Sequence, residues 1–196
     1  MISKEEGKIL LRLARNSIET VFDAKEPEID DYCQTSLSES CGCFVTLSKN
    51  GQLRGCIGFP EPIMPLYKAI IAAARAAAFE DPRFPSVEKQ ELEQITIEIS
   101  VLTKPEQCKV SKPEDYLKKV RIGTDGLITR GQSGSGLLLP QVATEWHWDA
   151  KKFLEHTCIK AGLEKDSWKD LRNKIYTFQA QIFGETCIRP GHMSPV

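Results

Sequence analysis

The hexapeptide Leu53-Arg54-Gly55-Cys56-Ile57-Gly58 sets an arginine and a cysteine two positions apart. Residues i and i+2 of a strand project from one face, so a guanidinium and a thiol are expected side by side. A nearby positive charge favours the thiolate, the form of cysteine that attacks electrophiles. Cys56 is therefore a candidate nucleophile or redox group, and Arg54 a candidate holder of a carboxylate or phosphate. The competing reading packs Cys56 against Phe44 and pairs Arg54 with a carboxylate. Gly55 and Gly58 each weaken a strand by about 0.5–1 kcal/mol relative to alanine. A strand glycine marks close approach of a ligand or of another backbone. Both are ligand-binding candidates, weighed against tight packing of an alanine-rich helix over Gly55.

Asp81 and Arg83 stand in a proline-bounded loop, Asp81-Pro82-Arg83-Phe84-Pro85. They suit a polar ligand, and equally a local ion pair that locks the loop. Glu145 and Asp149 are four apart, with His156 seven further on, so a continuous helix would put all three on one side. Two carboxylates and an imidazole can share a proton or hold a metal. The spacing matches neither HExxH nor a zinc signature, so no metal is assigned and no cofactor is identified. Glu145 stands as a catalytic candidate in acid–base or ligand contact. A thiolate metal site at Cys41, Cys43 and Cys56 is set aside, because Cys43 should face away from Cys56. The glycine-rich stretch 131–136 lacks the Gly-Lys-Ser/Thr ending of a phosphate loop and reads as a mobile edge.

Positioning these residues requires a hairpin of Cys43–Ser48 with Gln52–Gly58. A two-residue Asn50-Gly51 turn in regular register would oppose Leu47 to Arg54. A three-residue loop, Lys49 to Gly51, opposes Leu47 to Leu53 and Val45 to Gly55, separating apolar from polar residues, and is the expected register. Cys43, Val45, Leu47, Leu53, Gly55 and Ile57 then face the core, and Phe44, Thr46, Ser48, Arg54 and Cys56 the other side. Around the hairpin, Ser3 and Glu6 form a capping box ahead of helical spacing to about Asp23. Leu66–Phe79 is a closely packed helix, and Ile95–Leu102 alternates as a half-buried strand. Strands are expected at 120–122, 127–129 and 175–183. Pro140 opens a helix running to Gly162. Hairpin strands with helices at the ends and middle predict an α+β fold with a mostly antiparallel sheet. The chain is read as one domain, residues 1–196, with a smaller β-rich lobe at about 104–139.

Composition bounds the function. The formal net charge of −1 over 196 residues is far from the basic excess that nucleic-acid binders show, which makes that the weakest reading. The start MISKEEGKIL is not a signal peptide, and no apolar run reaches the roughly 18 residues of a membrane helix. Seven cysteines without a C-x-x-C pair suit free thiols in a reducing cytoplasm.

Several of these segments occur together in one known family. LRGCIG preceded by Phe44-Val45-Thr46-Leu47, then Asp81–Pro85, Glu98-Ile99-Ser100, Asp125-Gly126-Leu127, Leu138–Ala143 with Gln141, and Glu145 with Trp148-Asp149 follow in order. The chain resembles the AMMECR family, the domain named after the Alport syndrome, mental retardation, midface hypoplasia and elliptocytosis chromosomal region. The resemblance spans nearly the whole chain. It implies an α+β fold with a larger and a smaller lobe, the hexapeptide near a cleft between them, and no particular reaction. It also implies radical-SAM and Memo-like proteins as functional companions. Two classes of function follow. One is an enzyme-like cleft for a small polar or anionic ligand, lined by Arg54, Cys56, Asp81, Arg83, Gln141 and Glu145. The other is a non-enzymatic adaptor for those companions.

Overall fold

Helix α1 (Lys4–Phe22) begins where Ser3 and Glu6 exchange hydrogen bonds, the Ser3 side chain accepting the Glu6 amide and the Glu6 carboxylate accepting the Ser3 amide. Two of the orphan amides at the helix start are thus satisfied. The computed structural model describes residues 2–132 and 134–185; the C-terminal tail with Cys187, and Ser133, lie outside them. Two compact bodies emerge, one reaching from the N-terminus to Val101 and resuming at Ile182, the other Leu102–Gln181.

The first body is a four-stranded antiparallel sheet in the order β2-β1-β3-β8. Its strands are β1 (Gly42–Lys49), β2 (Gln52–Phe59), β3 (Ile95–Leu102) and β8 (Ala180–Gly184). Helices α1 and α3 (Leu66–Phe79) form the core with one face of it, burying Leu10, Leu13, Ile18, Ile70 and Ala74 against Val45, Leu47, Ile97 and Ile99. A short helix α2 (Asp31–Ser36), capped by the Asp30 side chain on the Cys33 amide, interrupts the acidic connection after α1.

The hairpin takes neither simple register. Asn50 (φ 52°) and Gly51 (φ 80°) form a two-residue turn, so Lys49 pairs with Gln52 and Ser48 with Leu53. Left-handed central residues match the twist of the flanking strands, which favours this turn over the expected three-residue loop. Arg54 is then a surplus residue without a partner in β1, and pairing resumes as Leu47 with Gly55, Thr46 with Cys56 and Val45 with Ile57. The expected pairs Leu47–Leu53 and Val45–Gly55 are therefore corrected. The bulge does the work assigned to the longer turn, keeping Val45, Leu47 and Gly55 in the core. Leu53, expected there as well, is 45% exposed.

The second body carries a sheet in the order β4-β7-β5-β6, from β4 (Glu106–Gln107), β5 (Gly126–Gly131), β6 (Gly134–Leu138) and β7 (Lys174–Phe178). The segment 104–139 lies inside this body, which extends to Gln181 because β7 pairs with both β4 and β5. Its core joins Leu127 and Ile175 to Phe153, Leu154 and Trp168. Residues 120–122 are not a strand. They follow helix α4 (Tyr116–Lys119) and turn where the Asp125 carboxylate accepts the Arg121 amide and guanidinium. Gly134 to Gly136 belong to β6, not a loop, and both glycines lie tight against the end of the helix that spans Ala150–Lys160, at Thr157–Ala161.

The single helix expected from Pro140 is two. Helix α5 (Pro140–Glu145) stops at Trp146, His147 takes φ 52°, and Asp149 caps α6 (Ala150–Lys160) by accepting the Lys152 amide at 2.8 Å. The strand expected at 175–183 is likewise two, β7 and β8, in different sheets. No helix among the described residues is long and apolar enough to cross a membrane.

Candidate functional site

β2 is an edge strand, and an edge leaves backbone donors and acceptors without a ladder partner. The loop after α3 supplies them at Cys56. Asp81 Oδ2 accepts the Cys56 amide at 2.9 Å, and Arg83 Nη2 donates to the Cys56 carbonyl at 3.2 Å. The two side chains are joined in a fork, Nε to Oδ1 at 2.9 Å and Nη2 to Oδ2 at 2.6 Å. Asp81 is buried, whereas the Arg83 side chain is 53% exposed. The hydrogen bonds from Arg83 hold the Asp81 carboxyl far below the usual range against the opposing effect of burial, aided by the Cys56 amide. The same pairing raises Arg83.

The thiol itself lies on the face of the sheet opposite α3, half-buried, with the Thr46 hydroxyl donating to Sγ at 3.3 Å across the ladder. Phe44, Ser48 and Thr96 are also half-buried on this face, and Glu98 is exposed. Burial pushes the thiols of Cys33 and Cys43 up to about 11 and about 12, and raises those of Cys41, Cys108 and Cys158. Those thiols are suited to packing, not to attack.

Arg54 is committed elsewhere. Its Nε and Nη2 grip the Glu91 carboxylate at 3.2 and 2.9 Å, and Nη1 and Nη2 donate to the carbonyls of Pro85 and Ser86 at 2.8 and 3.3 Å. Lys49 Nζ adds a contact to Glu91 at 2.9 Å, and the Glu88 amide another at 2.9 Å. Arg54 first, then Lys49 and the Glu88 amide, bring the Glu91 carboxyl down to about 2. Arg54, Lys49, Ser86 and Glu88 border an open polar depression of about 590 Å³. The guanidinium beside Cys56 thus comes from Arg83. Glu91, 37 residues beyond Arg54, has no pattern in the sequence that would have disclosed it.

The glycines of the hexapeptide are accounted for by the chain's own packing. A Cβ on Gly55 would lie 2.1 Å from the Ala77 carbonyl oxygen of α3, the close approach weighed against a ligand. A Cβ on Gly58 would meet the Cys43 carbonyl at 2.2 Å and the Phe44 ring at 2.5 Å.

Gln141 and Glu145 stand on α5 of the second body. Gln141 is half-buried, its Oε1 without a partner among the described residues, and Glu145 is exposed at the last helical position. With the helix broken at His147, Glu145, Asp149 and His156 do not form one helical face. Instead His156 stacks on Trp148 at 3.9 Å between ring centroids, and Trp146 stacks on Trp148 at 6.1 Å. Trp146, which the spacing of one continuous helix would put on the apolar face with Ala143, Ala150 and Phe153, is 67% exposed. Among the described residues no three His, Cys, Asp or Glu side chains are placed to hold a metal.

Known proteins share this architecture. The chain is 50% identical over 185 residues to a protein of Methanothermobacter thermautotrophicus, covering 94% of this chain and 96% of that one. It is 48% identical over 187 residues to a protein of Methanocaldococcus jannaschii, covering 94% and 92%. A crystal structure of a protein of Pyrococcus horikoshii, described as uncharacterised, superposes with a TM-score of 0.88 at 47% identity, covering 94% of this chain and 93% of that one. The family model for AMMECR1 matches residues 11–183. With the hexapeptide edge, the Asp81 loop and the second sheet all inside that match, the chain belongs to the AMMECR1 family.

Proposed function

We propose that the polar sheet face around Cys56 binds a small anionic ligand, with Arg83 presenting the cation and Cys56 the reactive group. The observation that carries this reading is the fixed frame of Cys56. Its amide and carbonyl are both clamped by the Asp81–Arg83 pair, and its thiol receives the Thr46 hydroxyl. A half-buried thiol held this rigidly beside an exposed guanidinium is preorganised for an incoming electrophile or anion. Arg83 replaces Arg54 in the anion-binding role, and Arg54 positions the loop that carries Arg83. Gly55 and Gly58 keep that strand flat against its neighbours. Gln141 and Glu145 are assigned no step in this reading.

Alkylation with iodoacetamide, followed by intact mass and peptide mapping in a Cys187→Ser background, tests it. Cys56 is expected to react well ahead of Cys33 and Cys43, and millimolar phosphate or a dicarboxylate to protect it. Equal reaction of the buried thiols, or phosphate protection of Cys56 left unchanged by Arg83→Ala, rules the reading out.

A second reading, docking of radical-SAM or Memo-like proteins, is favoured by two exposed apolar side chains, Leu53 at the start of the hexapeptide at 45% and Ile63 beyond the end of β2 at 65%. Leu53→Ser with Ile63→Ser should then abolish co-purification with such a partner while leaving Cys56 alkylation unchanged.

A further inference from the structure

Helix α3 shows a second stripe at the margin of the core, where Ile71 packs against the buried residues and stays partly exposed. Ile71, Ala72, Arg75 and Ala76 are half-buried, and Lys68 and Glu80 are exposed at its two ends. With Pro27 and Ile29 from the connection after α1, and Phe59 at the end of β2, the stripe walls a mostly apolar groove of about 580 Å³. Arg75 is not available to a ligand: it donates to the carbonyls of Ser17 and Lys25 and pairs with Glu26 at 3.0 Å. Lys68 forms no ion pair among the described residues, its ammonium lying 5.9 Å from the Tyr67 ring centroid.

The two end charges differ in sign and are twelve positions apart, about 18 Å along the helix at 1.5 Å per residue. Ala72 and Ala76, four apart, form a shallow ridge that lets a second helix axis approach closely. We infer that this groove docks an amphipathic helix of a partner protein, with acidic residues in its first turn and basic residues in its last. That charge order is the one a helix's own dipole favours. It meets Lys68 and Glu80 together only if the partner helix runs parallel to α3. Apolar side chains at i, i+3/i+4 and i+7 of that helix fill the floor between Ile29, Phe59 and Ile71. A small anionic amphiphile would satisfy Lys68 and leave Glu80 unmatched, and a phosphate backbone would be repelled there. The groove is distinct from the Cys56 face, so either site can fail without the other.

The test uses a synthetic helical 18-residue peptide with an apolar stripe, Glu in its first turn and Lys in its last. Two controls carry Lys at both ends or a scrambled stripe. Titrated against the labelled full chain by NMR, the first peptide should shift the amides of 68–80 and bind roughly threefold to tenfold tighter than the Lys/Lys control. Lys68→Glu should remove that preference, and Ala76→Trp should abolish binding with circular dichroism unchanged. A nitroxide on the peptide's N-terminus should broaden residues 66–69 rather than 77–80. Equal binding of all three peptides, no binding of any, or broadening at 77–80 overturns the proposal. So does a concentration-dependent dimer lost with Ala76→Trp, which would assign the groove to a second copy of the chain.

Discussion

Asp81 accepts the amide proton of Cys56 at 2.9 Å, so a buried carboxylate from a loop stands where the next strand of the sheet would otherwise be. The same carboxylate is held by Arg83, and the pair seals one residue of the edge from both its donor and its acceptor side. Stability and the chemistry proposed for Cys56 therefore share a residue.

Asp81→Ala should cost roughly 2–4 kcal/mol, because it leaves the Cys56 amide and one side of Arg83 without partners. Asp81→Asn retains an acceptor for the amide and should cost less. Urea midpoints of the two variants check the order; equal losses would mean the amide bond contributes nothing.

Acid should loosen this edge before the rest of the first body. Glu91 falls from an ordinary value of 4.5 to about 2 on folding, so its contribution is complete above pH 4.5 and disappears as the pH drops toward 2. The shift corresponds to about 3 kcal/mol at neutral pH. Asp81, also depressed, contributes in the same direction. Glu91→Gln should flatten the decline in melting temperature between pH 4.5 and 2.5, and an unchanged slope would refute this assignment.

Two glycines in one hairpin should respond differently to alanine. At Gly55 the added carbon would meet backbone 2.1 Å away, whereas at Gly51 nothing lies within 4 Å and the strain comes from φ 80° alone. Gly55→Ala is expected to cost more than about 3 kcal/mol and Gly51→Ala about 1 kcal/mol. Thermal melts read both.

Thr46→Val removes the hydroxyl that donates to Cys56 Sγ and keeps the side-chain volume. Loss of a donor to the thiolate should slow iodoacetamide capture of Cys56 several-fold at fixed pH, with little change in melting temperature. An unaltered rate would show that the hydroxyl does not tune the thiol.

Local patterns were the readable part of the sequence. The Ser3–Glu6 box, the alternation of β3 and the alanine-rich α3 depend on neighbours within a few positions, and each stands where spacing put it. The register of β1 with β2 was not readable in the same way. Pairing by apolar match assumes two residues per repeat, and a surplus residue at Arg54 breaks that count without marking itself. Periodicity also ran through His147, since Ala143, Phe153 and Leu154 fit one helix; the Asp149 cap that ends the fit competes with it only locally. Glu91 was invisible because its significance lies in a contact 37 residues away.

Arg54 occupies a position the ladder does not need. Without it, Leu53 would still meet Ser48 and Gly55 would still meet Leu47, now as consecutive rungs. A one-residue deletion here, ordinarily ruinous to a buried strand, would keep every pairing of the hairpin and lose only the grip on Glu91, Pro85 and Ser86. The edge strand thus carries its loop anchor outside the ladder, so the anchor can be removed without re-registering the sheet beneath it.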